Sequence, residues 1–265
     1  MKKIFIFLIL AVQIIAGTIK APLLTLDDNG LTATIKIKKI DVGMSGFVVQ
    51  NISKNHTTIL KQIVVSSFDA ETQIATLKLS DYNTLKNSAL PLGKWHVKAG
   101  DIAVLAGGYS RALLISPSEE IYYRITKSVN TQWLHSDIFT TLLSLNGHPT
   151  PLKEDFNAMR DVTSIGLIFI YLEQKVYTID AKSFVILNIS DAPLEQKKVM
   201  LPFYSRVTEI EANWFGEGND KLLEYEPYYY ELLARYNKNN KQLYKNIEKS
   251  DKNIQNLLEN FEIKE

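Results

Sequence analysis

The side chains best placed to do chemistry are lysines near the C-terminus of this chain. A polar segment from about residue 219 is predicted to be helical, and Lys245, Lys249 and Lys252 lie three or four residues apart within it. This spacing places their ammonium groups on one face of a helix. A basic stripe of this kind is usually a hydrated surface, and it would also suit docking into an acidic pocket of a partner. Both interpretations stay open at the level of sequence.

No residue pattern typical of a catalytic or metal site accompanies these lysines. The four histidines lack metal-binding spacing, and the chain has no cysteine, which excludes disulfides, thiolate zinc ligands and a thiol nucleophile. His135 precedes Ser136 and Asp137, but at a predicted helix start these two are better explained as capping residues. A catalytic pair of carboxylates would meet in space, where the sequence does not show it. We predict a non-enzymatic protein with no catalytic, cofactor-binding or metal-binding residues.

Composition and charge indicate a folded protein without affinity for nucleic acid. Of the 265 residues, 46% are hydrophobic and 22% are charged, which is ordinary for a globular protein with a substantial core. The 30 basic and 29 acidic side chains give a net charge of +1. Binding to nucleic-acid phosphates requires a concentrated positive surface, so this class of function is not expected.

The N-terminus has the pattern of a secretory signal peptide. Lys2 and Lys3 precede an apolar run over residues 4–15, and the small residues Ala16 and Gly17 follow it. The run is shorter than the roughly 20 residues that a membrane-spanning helix needs. We predict a signal peptide over residues 1–16 and export from a bacterial cytoplasm, with an uncleaved anchor and a buried N-terminal element as alternatives. The mature form is predicted to have no stable membrane span.

The remaining pattern predicts an α+β fold with a β-rich N-terminal half. Short apolar segments at intervals of about 8–12 residues are typical of a small antiparallel barrel or sandwich. A mixed second half follows, and Ser118 with the acidic pair Glu119 and Glu120 indicates the start of its first helix. The predicted strands are 32–40, 46–50, 58–66, 73–79, 101–105, 112–115, 165–173, 175–179 and 184–189, and the predicted helices are 119–128, 135–145 and 152–161.

A long C-terminal helix is predicted to follow this core. We expect the tyrosines between residues 225 and 236 to dock the helix, beyond which apolar residues recur at heptad spacing. The helix would be either a solitary amphipathic helix or half of a coiled coil. The predicted organisation is a signal peptide over residues 1–16, a core over residues 17–217 and a helical tail over residues 218–265.

Several short segments together resemble one known family in their order and separations. The segments are Gly46-Phe47-Val48-Val49, Gly100-Asp101, Leu114-Ile115-x-Pro117 with Glu120 and Tyr122, Ser136-Asp137, Pro202-Phe203-Tyr204-Ser205-Arg206-Val207 and Tyr228-Tyr229. They resemble the N-terminal domain of the plasminogen-binding protein PgbA family, found in the envelopes of Gram-negative gut and stomach bacteria. The resemblance extends over about residues 20–235.

This resemblance implies an exported protein of the periplasm or cell surface that binds host plasminogen. In the family, binding looks like lysine capture, because a kringle domain has an anionic, aromatic-walled pocket that receives an ammonium group. A C-terminal lysine would suit such a pocket, but Glu265 ends this chain and Lys264 is penultimate. Trimming of Glu265 would expose Lys264. Alternatively, an internal lysine would act together with a carboxylate about 5–11 Å away along the helix, from Glu248, Asp251 or Glu259.

Two functions therefore remain open. In the first, the chain binds plasminogen, and the predicted partner-binding residues are Lys245, Lys249, Lys252 and Lys264. In the second, the chain is a periplasmic scaffold of a larger envelope complex, and its tail pairs with a helix of another envelope protein through Leu233, Leu243, Ile247, Ile254 and Leu257.

Overall fold

The chain is described by a computed structural model over residues 17–53, 56–82, 95–195 and 198–256. The signal peptide predicted over residues 1–16 lies outside the described residues, and so do Leu257, Glu259 and Lys264. Within the four described ranges the longest helix has 12 residues. None of the helices there has the length and hydropathy needed to cross a bilayer.

Six antiparallel strands form a closed barrel in the first half, as one of the two predicted alternatives required. Their order around the barrel is β1-β2-β5-β4-β3-β6, and the pairing of β1 with β6 closes it. Small residues permit the tight crossings, since a side chain at Gly46 would come within 2.1 Å of the Val104 carbonyl oxygen. The strands are β1 (Ile19–Leu26), β2 (Thr32–Lys36), β3 (Ser45–Ser53), β4 (His56–Asp69), β5 (Ile74–Asp81) and β6 (Ile102–Leu105).

A mixed five-stranded sheet forms the second half, in the order β11-β10-β9-β7-β8. The strand β7 pairs in parallel with both β8 and β9, whereas β9, β10 and β11 are antiparallel neighbours. The first helix begins at Ser118, whose side chain accepts a hydrogen bond from the Ile121 N–H at 3.4 Å, as predicted. The strands are β7 (Arg111–Ile115), β8 (Gln132–Leu134), β9 (Leu167–Leu172), β10 (Lys175–Asp180) and β11 (Ile186–Asp191), with helices α1 (Glu119–Ser128), α2 (Ser136–Asn146) and α3 (Lys153–Thr163).

The central strand β9 explains the uninterrupted apolar run that the sequence shows there. Leu167, Phe169 and Tyr171 belong to a hydrophobic core that includes the barrel interior. The alternate residues Ile168 and Ile170 belong to a second core beneath the helices. Because both faces of β9 are buried, the strand has no polar side, as expected for a strand between two layers.

The buried carboxylate of Asp180 connects the second sheet to the barrel. It accepts hydrogen bonds from the N–H and hydroxyl groups of Ser45 at 3.0 and 2.6 Å and from the Tyr109 hydroxyl at 2.8 Å. It also accepts from the backbone N–H groups of Lys182 and Ser183 at 2.9 and 2.7 Å. Five donors thus satisfy a side chain that is 0% exposed, which ties strand β3 to the end of β10.

The C-terminal region is helical as predicted, but it does not form one long helix. It forms α4 (Tyr225–Tyr236), α5 (Lys241–Ile247) and α6 (Lys252–Gln255). The first break occurs at Asn237, whose side chain bonds to the backbones of Ile186, Phe184 and Leu233 at 2.8, 3.1 and 2.9 Å. This buried asparagine holds the chain against the second sheet, and Asn240 then caps α5 by accepting from the Leu243 N–H at 2.9 Å. The division of the chain near residue 218 stays a prediction.

Candidate functional site

Three of the four predicted partner-binding lysines lie on one exposed stretch of the C-terminal region. Lys245 lies in the last turn of α5, Lys249 in the connection to α6, and Lys252 at the first position of α6. All three side chains are exposed, and none forms an ion pair with another described residue. We call this stretch, from Lys245 to Lys252, the lysine surface. The fourth lysine, Lys264, lies outside the described residues.

The opposite side of the same helices is buried in the protein's own core. Leu243 and Ile247 are 0% exposed, and Ile254 is nearly as inaccessible. They pack with Leu233 in the core under the second sheet. The hypothesis that these apolar residues pair with a helix of another protein is therefore wrong for the folded chain. The apolar residues do recur at heptad spacing, but they pack against the second sheet of the same chain.

Polar contacts fix the position of the lysine surface. The side-chain amide of Asn246 donates to the Tyr177 hydroxyl at 2.9 Å. The Ser250 hydroxyl donates to the Glu173 carboxylate, which also accepts from the Tyr230 hydroxyl at 3.0 Å. The side chains of Asn246 and Ser250 therefore point into the fold. The lysines thus project from a segment that both apolar packing and polar contacts hold against the core.

Two carboxylates accompany the lysines on this surface. Glu248 caps the end of α5, and Asp251 precedes α6 as its N-terminal cap. Both are exposed, so the segment presents ammonium and carboxylate groups close together in sequence. The pairing was predicted within one helix, whereas the structure places it across the break between α5 and α6. The third candidate, Glu259, is outside the described part of the chain.

A second set of residues gathers segments that are far apart in sequence. The carboxylate of Asp137 accepts from the Ser205 hydroxyl at 3.1 Å, from the Arg206 N–H at 2.9 Å and from the Arg206 Nε at 2.7 Å. The Tyr204 ring lies 5.3 Å from that of Tyr122, and its hydroxyl donates to Glu119 at 3.2 Å. We call these six residues the Tyr204 cluster. Five of them belong to the segments that carry the family resemblance, and the sixth, Glu119, lies next to one.

Electrostatic effects in the Tyr204 cluster favour a structural anchor over a reactive group. Burial would raise the pKa of Asp137, but hydrogen bonds from Arg206 and Ser205 lower it overall. Burial, with the neighbouring Tyr123 and Glu119, raises the pKa of Tyr204 well above its usual range. A hydroxyl with a raised pKa is a poor nucleophile at neutral pH, so the Tyr204 side chain acts here as a hydrogen-bond donor.

The only close grouping of histidine with a carboxylate that the sequence suggested is a helix cap. His135, rather than Ser136 or Asp137, is the N-terminal cap of α2, and its Nδ1 accepts from the Asp137 N–H at 3.1 Å. Ser136 is the first helical residue and is 0% exposed, which keeps its hydroxyl away from any substrate. No group of three or more metal-ligating side chains occurs within the described ranges.

The three lysines of the lysine surface project from helices whose opposite side is buried. A family model described as plasminogen-binding protein PgbA N-terminal matches residues 18–233. Because the match covers most of the chain, the chain belongs to this family, which confirms the resemblance found in the sequence. The family is named for binding and not for catalysis, in agreement with the prediction of a non-enzymatic protein.

Two curated relatives carry the name plasminogen-binding protein PgbA. The protein of Helicobacter pylori strain J99 / ATCC 700824 is 29% identical over 201 residues, and that of strain ATCC 700392 / 26695 is 27% identical over 201 residues. Each match covers 74% of this chain and 43% of the relative, so the matched region is less than half of either relative. No solved structure shows significant similarity to the chain.

Proposed function

We propose that this chain is an exported envelope protein that binds plasminogen through the ammonium groups of Lys245, Lys249 and Lys252. The observation that carries the proposal is their arrangement: three exposed lysines without ion pairs in the described chain project from helices whose apolar side is buried. Two homologues named for plasminogen binding support the choice of partner. The proposal places the protein in the periplasm or on the cell surface of a Gram-negative bacterium.

The chemistry of the lysine surface suits a lysine-binding kringle pocket. Such a pocket needs an ammonium group, an aliphatic stem to lie between aromatic walls, and a carboxylate at the other end. Lys245 or Lys252, which lie three and four residues from Glu248, offers these groups on an internal segment. Because the support is anchored by Asn246 and Ser250, little backbone entropy would be lost on binding. Lys264 is a second candidate within the same proposal.

Immobilised protein, expressed from residue 17, would test the proposal in a surface-plasmon-resonance titration with plasminogen. We expect saturable binding that a free lysine analogue abolishes, and a loss of about tenfold or more in affinity when Lys245, Lys249 and Lys252 are all replaced by alanine. A Lys264→Ala variant tests the second candidate. The matched control replaces the exposed Lys36, Lys38 and Lys127, which lie on the barrel and on α1.

Two results would contradict the proposal. One is the absence of binding at micromolar plasminogen. The other is an equal loss of affinity in the Lys245/Lys249/Lys252 variant and in the Lys36/Lys38/Lys127 control. Binding would then depend on net charge and not on a defined surface. Cleavage of the protein by protease added to whole cells would separate a surface location from a shielded periplasmic one.

A further inference from the structure

A cavity of about 330 Å³ lies where the barrel meets the second sheet. Its lining residues include Ser45 of β3 and Arg111 of β7. Arg160, near the end of α3, and Lys182, after β10, also line it. At Gly166 the chain passes so close to the connection between β6 and β7 that a side chain there would come within 2.3 Å of the Gly108 backbone. The cavity is large enough for a small molecule, and it lies away from the lysine surface.

Cationic groups dominate the charge of this cavity. Arg111, Arg160 and Lys182 line it, and Asp161 is the one carboxylate among the described lining residues. Arg111 is already engaged, since its Nη1 donates to the Thr163 carbonyl at 2.8 Å and its Nε to Gln132 at 3.1 Å. The buried carboxylate of Asp180 does not line the cavity, but it accepts hydrogen bonds from the lining residues Ser45 and Lys182. It is occupied by five neutral donors and forms no ion pair with any cation of the cavity in the described chain.

Arg160 and Lys182 retain binding capacity that the folded protein does not use. Arg160 pairs with Asp161, but its Nε atom is buried and has no hydrogen-bond partner among the described residues. The half-buried Lys182 forms no ion pair within the same set. Burial, followed by repulsion from Arg160, lowers the pKa of Lys182 overall, against smaller attractions to the carboxylates of Asp161 and Asp180. Two partly desolvated cations therefore repel one another, and an anion between them would relieve that repulsion.

Hydroxyl groups complete the features of an anion site. Ser110 and Ser164 line the cavity beside the cations, and a hydroxyl group can donate to an oxyanion. The Ser45 hydroxyl also lines the cavity, but it already donates to Asp180. We propose that this cavity binds a small molecule through a phosphate or carboxylate group, with Lys182 and Arg160 neutralising the charge and serine hydroxyls orienting the oxygens. The volume favours a free small molecule over a polymer, and the inference is independent of plasminogen binding.

The proposal predicts a saturable response to inorganic phosphate. Phosphate added to the protein at constant ionic strength should raise the midpoint of thermal unfolding, whereas matched sodium chloride should not. Because Lys182 would make a charge-assisted contact, Lys182→Gln should weaken the apparent affinity by about tenfold. The control Lys36→Gln removes an exposed positive charge from the barrel and should leave the affinity unchanged.

A phosphorus NMR titration of the same variants gives a second reading that does not depend on stability. We expect the parent protein and Lys36→Gln to broaden the phosphate signal. Lys182→Gln should not broaden it. Sodium succinate should compete with phosphate, since the shared chemistry is an oxyanion. The far-ultraviolet circular dichroism of Lys182→Gln should match that of the parent, because the ammonium group makes no ion pair in the described structure.

Three results would overturn the proposal. These are the lack of a saturable response to phosphate or succinate, an unchanged response in Lys182→Gln, and binding seen only with phosphatidylglycerol vesicles. The last result would assign the cavity to a lipid headgroup instead of a free small molecule. None of these outcomes affects plasminogen binding, which is measured with the Lys245/Lys249/Lys252 variant.

Discussion

Two cationic regions of this protein differ in how water reaches their charges. On the lysine surface, Lys245, Lys249 and Lys252 extend into solvent from helices that pack through their opposite side. In the cavity between barrel and second sheet, Arg160 and Lys182 are partly withdrawn from solvent and repel one another. A hydrated cation costs the fold little and is available to a large partner, whereas a desolvated pair destabilises the fold until an anion arrives. A positive charge can thus serve a large protein partner at the lysine surface and a small anion in the cavity.

The largest expected change in the free energy of unfolding follows from replacing Asp180, the buried carboxylate next to the cavity. Asp180→Ala leaves five donors without their acceptor in a buried position, so the free energy of unfolding should fall by at least about 3 kcal/mol. Urea denaturation followed by circular dichroism measures the change. The control is Asp191→Ala, which removes an exposed carboxylate paired with Lys175 and should cost no more than about 1 kcal/mol. Similar losses in both variants would show that the junction does not depend on Asp180.

The next largest effect contrasts the two sides of α5. Leu243→Ala removes a side chain that is 0% exposed and should lower the free energy of unfolding by about 2–5 kcal/mol. Lys245→Ala, two residues away and exposed, should change it by less than about 0.5 kcal/mol. Equilibrium unfolding of both variants decides the comparison. A loss above about 1 kcal/mol in Lys245→Ala would mean that its side chain stabilises the fold and is not free for a partner.

The smallest effect concerns the charge of Lys182. Its pKa is lowered in the folded protein, so its protonated form costs stability at neutral pH, and this cost disappears as the pH rises toward the unfolded value of 10.5. Lys182→Met should therefore be more stable than the parent at pH 7, by less than about 1 kcal/mol because the group is half-exposed and screened. The advantage should shrink as the pH rises from neutral toward about 10.5.

Thermal unfolding of Lys182→Met and its parent in chloride buffers, across this pH range, measures the difference. The tyrosines titrate identically in both proteins, so their contributions cancel in the comparison. A parent that is more stable than the variant at pH 7 without added phosphate would show that the ammonium group has a stabilising partner, contrary to the repulsion described above.

Several elements follow directly from local sequence patterns. The alternation of Ala33 and Ile35 with polar neighbours predicted the barrel strand β2, and both side chains are buried in the barrel. Ser118 with the two glutamates after it predicted the start of α1. The strand β1 was not predicted, because its first residues follow the apolar N-terminal run and only Ala21 and Leu23 alternate inward.

The break of the C-terminal helix could not be predicted, because it depends on a partner distant in sequence. Asn237 looks like an ordinary polar residue of an amphipathic helix, but its amide bonds to the backbone between β10 and β11. The same reason hides the cavity, whose cations Arg160 and Lys182 lie on different elements and meet only when α3 packs beside the end of β10. Neither pairing produces a short-range pattern.

Sequence patterns were sufficient to predict the β-rich first half, the helical character of the C-terminal region, the family and the solvent-facing lysines, since each depends on periodicity or on short segments in a fixed order. The tertiary structure decided that the strands close into a barrel, that the apolar stripe of the last helices faces the second sheet, and that two cations share one cavity. These outcomes depend on contacts between distant residues, whose free energy local patterns do not contain.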